Sequence, residues 1–134
     1  MLKKYFFTLA FISWMVCITL LSLVSFKGGD LLPSLDIPHM DKLVHMGFYF
    51  GTTLLGILLV RERTGGMVSL QKTILGIVVF AILYGIIIEV LQSTYTLDRQ
   101  GDILDVLANS SGALLGGFLM KFVFSGKSPL KWGE

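Results

Sequence analysis

The stretch YGIIIEVLQSTYTLDRQGDILDVLANSSGALLG, residues 84–116, decides how this chain is to be read. Two apolar runs meet there across a short polar link, and Glu89, Gln92, Arg99, Asp102, Asp105 and Asn109 crowd the junction. Glu89 and Asp105 stand within otherwise lipid-like sequence. A charge at the centre of a membrane helix costs roughly 2.5–3.5 kcal/mol on insertion scales, and less near the interface. A helix that merely spans has no use for such residues, so the junction is the expected functional site.

Working outward, the composition fixes the class. The chain has 134 residues, 54% of them hydrophobic and 15% charged. A soluble domain of this size needs more charge to cover its surface, so an integral membrane protein built as one domain is expected. The formal net charge of +2 is too small to argue for nucleic acid. Cys17 is the single cysteine, which excludes an intramolecular disulfide.

Four apolar runs, at about 5–26, 43–60, 73–92 and 103–124, are each long enough to cross a hydrocarbon core of about 30 Å. The first follows Lys3 and Lys4. It exceeds the usual apolar region of a cleavable signal peptide and ends in no small-x-small site, so a retained first helix is expected. Residues 27–40 hold Gly28, Gly29, Asp30, Pro33 and Pro38 with interspersed leucines, the composition of a loop lying on the membrane surface. Thr64, Gly65 and Gly66 make a short turn, and residues 93–101 form the link.

Orientation follows from the basic residues. With the N-terminus cytoplasmic, the inner side holds eight of them: Lys3, Lys4, Arg61, Arg63, Lys72, Lys121, Lys127 and Lys131. The outer side holds three, Lys27, Lys42 and Arg99. This asymmetry predicts four transmembrane helices with both termini cytoplasmic. Asp41, Lys42, His45, Glu89, Gln92, Arg99, Asp102, Asp105 and Asn109 then share one depth in the outer leaflet. Asn109, six residues past Ile103, would sit about 9 Å into its helix.

Helical spacing sorts these residues onto faces. Asp41, His45 and Tyr49 recur every four residues along the second helix. Gly85, Glu89 and Gln92 share a face of the third, where Gly85 would let a neighbouring backbone approach. On the fourth, Asp102, Asp105, Asn109, Gly112 and Gly116 make one stripe, polar at its outer end. Gly112-x-x-x-Gly116 is a close-packing signature, serving either the bundle or a homodimer. The plain alternative is structural: interhelical hydrogen bonds in membranes average about 0.6 kcal/mol each, and Asp102 suits a helix N-cap.

As a group the junction carries more acid than base. Asp41, Glu89, Asp98, Asp102 and Asp105 face Lys42 and Arg99. Such an excess is met by shared protons, by ion pairs or by a bound cation. Carboxylates with one imidazole suit a divalent ion, although no spacing here specifies one. Lys42 and Arg99 suit a lipid phosphate at headgroup level, and a metal would bridge carboxylates to such a phosphate.

DKLVH at residues 41–45 followed by Tyr49, EVLQ at 89–92, and RQGDILDVLANSSG at 99–112 together resemble the VanZ-like family of bacterial membrane proteins. The resemblance runs over residues 41–116. It carries over Asp41, Lys42, His45, Glu89, Gln92, Arg99, Asp102, Asp105, Asn109 and Gly112 by match. It implies a four-helix protein of the bacterial cytoplasmic membrane linked to the cell envelope. The family takes its name from a protein that gives resistance to teicoplanin, a lipid-tailed glycopeptide antibiotic.

The expected function is therefore an outer-leaflet pocket for an envelope lipid, a lipid-linked envelope precursor or a lipid-tailed antibiotic, with a contribution to glycopeptide resistance. Two alternatives stand beside it. One is an enzyme acting on a lipid-linked phosphate or sugar, with His45, Glu89 or Asp105 as general acid or base. The other is a scaffold whose polar groups only assemble the bundle.

Overall fold

The computed structural model describes residues 2–23, 40–95, 103–126 and 131–133. A 3-10 turn, Leu2–Tyr5, leads into α1, Phe6–Leu23; α2 is Met40–Thr64, α3 is Leu70–Tyr95 and α4 is Ile103–Val123. No strand occurs among the described residues, as the all-helical expectation requires. Four described helices are long and apolar enough to cross a membrane. α4, with 21 residues, reaches about 31 Å against a hydrocarbon core of about 30 Å, and the 18 residues of α1 gain the same length with the preceding turn, as Lys3–Leu23.

Two helices run further than their apolar runs. α2 takes in residues 40–42 and 61–64, and α3 takes in 70–72 and 93–95. Hydropathy marks the part suited to lipid, whereas helical hydrogen bonding continues through Arg, Glu, Gln and Lys, all good helix formers. α4 stops one residue short of the expected end, with Phe124 in the following turn. Between α2 and α3 the chain reverses through Gly65 and Gly66, at φ +62° and +83°. These left-handed conformations suit glycine, and the Gly65 N–H closes α2 on the Arg61 carbonyl at 2.9 Å. Ser69 then caps α3, its hydroxyl accepting the Lys72 N–H at 3.3 Å. Residues 24–39 and 96–102, which include most of the expected surface loop and of the link, lie outside the described residues.

The helices run up and down. α2 touches each of the other three and meets α4 most extensively. α2 and α4 run parallel, since Lys42 meets Asp105, His45 meets Asn109 and Met46 meets Gly112 in rising order. A Cβ on Gly112 would fall 2.1 Å from the Met46 carbonyl oxygen, and one on Gly116 would fall 2.9 Å from Thr53 Cβ. The glycine stripe of α4 thus lies against α2 of the same chain and sets the two backbones side by side. At Gly85 the sequence predicts a neighbouring backbone, and the neighbours are side chains instead. They are the Asn109 amide and the Tyr49 ring, 3.1 and 3.2 Å from where a Cβ would stand.

Apolar and polar groups are distributed inside out. Leu75, Val79, Leu83, Ile87 and Val90 of α3, and Leu107, Leu115, Phe118 and Phe122 of α4, face outward. His45, Thr52, Thr53, Glu89, Gln92, Asp105 and Asn109 are buried. In water this arrangement would waste apolar burial, whereas a lipid surround rewards it. The mid-bundle core is small, formed by Tyr49, Val78, Ala81 and Ala113 with Phe48, Ile74, Ile82 and Tyr84 packed around it.

The end of the bundle remote from the junction is tied together across the chain. Glu62 of α2 accepts the Phe7 and Thr8 N–H groups at 2.8 and 3.1 Å and the Thr8 hydroxyl at 2.8 Å, capping α1. Arg61 donates to the Lys131 carbonyl at 2.7 Å, and Trp132 donates through Nε1 to the Val68 carbonyl at 2.7 Å. The start of α1 and the end of α4 therefore share one end, and the polar junction occupies the other.

Candidate functional site

Three helices bring the polar junction together. α2 enters with Lys42 and His45, α4 with Asp105 and Asn109, and α3 arrives from the opposite direction with Glu89 and Gln92. The close α2–α4 approach at Gly112 fixes the register in which these side chains meet. Asp105 stands in the first turn of α4, where its negative charge also complements the helix dipole.

Lys42 donates through Nζ to Asp105 Oδ1 at 2.5 Å, with the lysine side chain 24% exposed and the aspartate 8%. One turn deeper, His45 Nδ1 lies 3.1 Å from Asn109 Oδ1, and it donates to that oxygen in the Nδ1–H tautomer. The same nitrogen lies 3.9 Å from Glu89 Oε1. Asn109 Nδ2 is buried with no hydrogen-bond partner among the described residues. Such a donor costs about 1–3 kcal/mol if nothing meets it. Beside this group, Gln92 donates through Nε2 to the Ser22 carbonyl at 2.7 Å, bringing the end of α1 to the same place.

Of the residues singled out by pattern, Lys42, His45, Glu89, Gln92, Asp105 and Asn109 fall together. Lys42, the expected headgroup cation, is engaged with Asp105. The side chain of Asp41, and Arg99 and Asp102 entirely, lie outside the described residues. Tyr49, which continues the Asp41–His45 face, is 1% exposed and belongs to the core. Sequence reasoning found α1 as a helix but missed its part in the site. Ser22 contributes a backbone carbonyl, a group every residue owns, so no pattern could have marked it. Thr19 and Tyr84 pair through their hydroxyls, and Trp14 donates to the Phe48 carbonyl at 3.0 Å, both from a run that reads as plain lipid-facing helix.

Chemically, the group offers one cation at its mouth, two carboxylates, an imidazole and an amide in a site screened from lipid by the helices. It can accept protons, hold a cation or hydrogen-bond an anionic oxygen. Neither a curated protein nor a solved structure matches the chain significantly. The VanZ/LLP1 family matches over residues 5–124, which takes in all four helices and every residue of the described cluster. The chain belongs to that family and is a VanZ-like multi-pass membrane protein.

Proposed function

We propose that the polar end is an outer-leaflet pocket that binds the anionic headgroup of a cell-envelope lipid or of a lipid-tailed antibiotic such as teicoplanin. The observation that supports this reading best is the buried Asn109 amide, whose nitrogen lacks a partner among the described residues beside His45. A purely structural set would be expected to close its own hydrogen bonds, because an unmet buried donor costs about 1–3 kcal/mol. A headgroup oxygen would satisfy it. Lys42, 24% exposed and paired with Asp105, puts its positive charge at the mouth, where it would attract an anion. Arg99 would be the second cation. The family supports the bacterial cytoplasmic membrane, and the distribution of lysine and arginine supports both termini inside and the pocket outside. Binding of a lipid-linked precursor or of the drug there is the route by which such a protein would contribute to glycopeptide resistance.

The test is lipid mass spectrometry on protein purified in mild detergent. An anionic lipid should be enriched over the bulk membrane, and Lys42→Ala/Arg99→Ala should lower that enrichment about thirtyfold, at about 1 kcal/mol for each of the two basic residues. No enrichment, or the same enrichment in an equally stable variant, would overturn the reading.

A further inference from the structure

The geometry points to a divalent-cation site made by His45, Glu89 and Asp105, with the Asn109 amide beside it. One imidazole nitrogen and two carboxylate oxygens, one ligand atom from each residue, all lie within 4.8 Å of one another. The three residues come from three helices and are 4–5% exposed. Ligands held about 2.1 Å from one ion are about 3.0 Å apart when adjacent and at most about 4.2 Å apart when opposite. His45 Nδ1 and Glu89 Oε1, at 3.9 Å, already fall in that window. A pair at the 4.8 Å limit would need to close by about 0.6 Å as opposite ligands and by about 1.8 Å as adjacent ones, movements that side-chain rotations supply.

Two features favour a cation over a packed polar cluster. Lys42 offsets one of two carboxylates drawn this close, so the group of described residues stays acidic on balance or neutral with a charged His45, and a shared proton or a positive ion between the carboxylates relieves their repulsion. The second feature is Asn109, 1% exposed, with Oδ1 3.1 Å from His45 Nδ1 and Nδ2 unmatched among the described residues. A cation on the three ligands brings water or anionic oxygens, which accept that N–H. Ligation through Nδ1 takes the Nε2–H tautomer of His45, which ends the hydrogen bond to Asn109 and leaves Oδ1, 3.1 Å from Nδ1, at the spacing of an adjacent further ligand. One nitrogen with oxygen donors suits Mn2+ or Zn2+; Ca2+ demands six to eight oxygens. The site stands independently of headgroup binding. Where both hold, the ion would join the carboxylates to a headgroup phosphate.

The experiment uses full-length protein in detergent, stripped with chelator and titrated with Mn2+ alone, Zn2+ alone and Co2+ alone, with no lipid added. About one ion per chain should bind, and the Co2+ complex should show visible absorption of a nitrogen- and oxygen-ligated ion. Glu89→Gln and His45→Gln should each weaken binding at least about tenfold while helicity by circular dichroism is unchanged. Should one variant fail to fold, the other decides; should both fail, the wild-type Co2+ spectrum decides. No stoichiometric binding, or equal affinity in a folded variant, would overturn the site. Because no lipid enters the titration, this result is independent of the headgroup test.

Discussion

Asp105 and Lys42 meet where α4 and α2 begin, and their pairing gives the first energetic test. Removing one partner of a well-buried pair costs about 3–5 kcal/mol, because the other charge is stranded. Lys42 keeps 24% of its side chain exposed, so a discounted coupling of about 1–3 kcal/mol is expected here. Lys42→Ala should therefore destabilise the bundle more than Lys42→Ala/Asp105→Ala does, in a double-mutant cycle followed by thermal or SDS unfolding. Additive effects would mean that the contact contributes nothing. Gly112 offers a second test. A methyl group there would stand 2.1 Å from the Met46 carbonyl, so Gly112→Ala must push α2 from α4. It should cost about 1–3 kcal/mol or more, while Gly76→Ala, with nothing within 4 Å, stays near neutral. Equal melting temperatures for the two variants would contradict the observed α2–α4 contact.

At the scale of elements, α1 is the helix least fixed by its own sequence. Its apolar residues are spread around it, and Phe6, Leu9, Ile12, Val16 and Leu20 face outward. Polar contacts at three levels hold it: Glu62 at its start, Trp14 on the Phe48 carbonyl, and the Ser22 carbonyl under Gln92. Glu62→Ala removes three accepted hydrogen bonds from the α1 terminus and should cost about 0.5–2 kcal/mol. Limited proteolysis should then release α1 before the other helices. An unchanged cleavage pattern would show that the cap is unimportant. All four helices were legible in the sequence because apolar runs of membrane-spanning length with at most two charges leave few alternatives. Their ends were less so, since Arg61, Glu62 and Arg63 are poor in hydropathy yet good in helix propensity. The site was legible where side chains carry it, at Lys42, His45, Glu89, Gln92, Asp105 and Asn109. The Ser22 carbonyl and the close packing of α4 on α2 were not, because backbone groups and helix order leave no mark in residue type.

For the whole molecule, the polar junction and the basic, cross-linked end lie at opposite ends of one bundle. With eight basic residues on the side that holds Lys3, Arg61 and Lys121, that end is predicted to face the cytoplasm. In a Cys17→Ser background, Met67→Cys and Ser125→Cys should react with a membrane-impermeant thiol reagent only after the membrane is opened. Labelling in intact cells would invert the orientation and move the polar junction to the inner leaflet. The inside-out distribution also separates two uses of the buried polar groups. If they only hold helices together, stability and function must fall together. If they form a ligand site, an isosteric loss of charge can leave folded protein that no longer acts.

The most direct measurement is teicoplanin susceptibility in a sensitive Gram-positive host carrying empty vector, wild type or Glu89→Gln/Asp105→Asn, with the protein level in the membrane quantified for each. The account predicts protection by wild type and its loss in the variant at equal abundance. Equal protection by the variant would contradict a functional polar junction, and no protection by well-expressed wild type would contradict the glycopeptide reading.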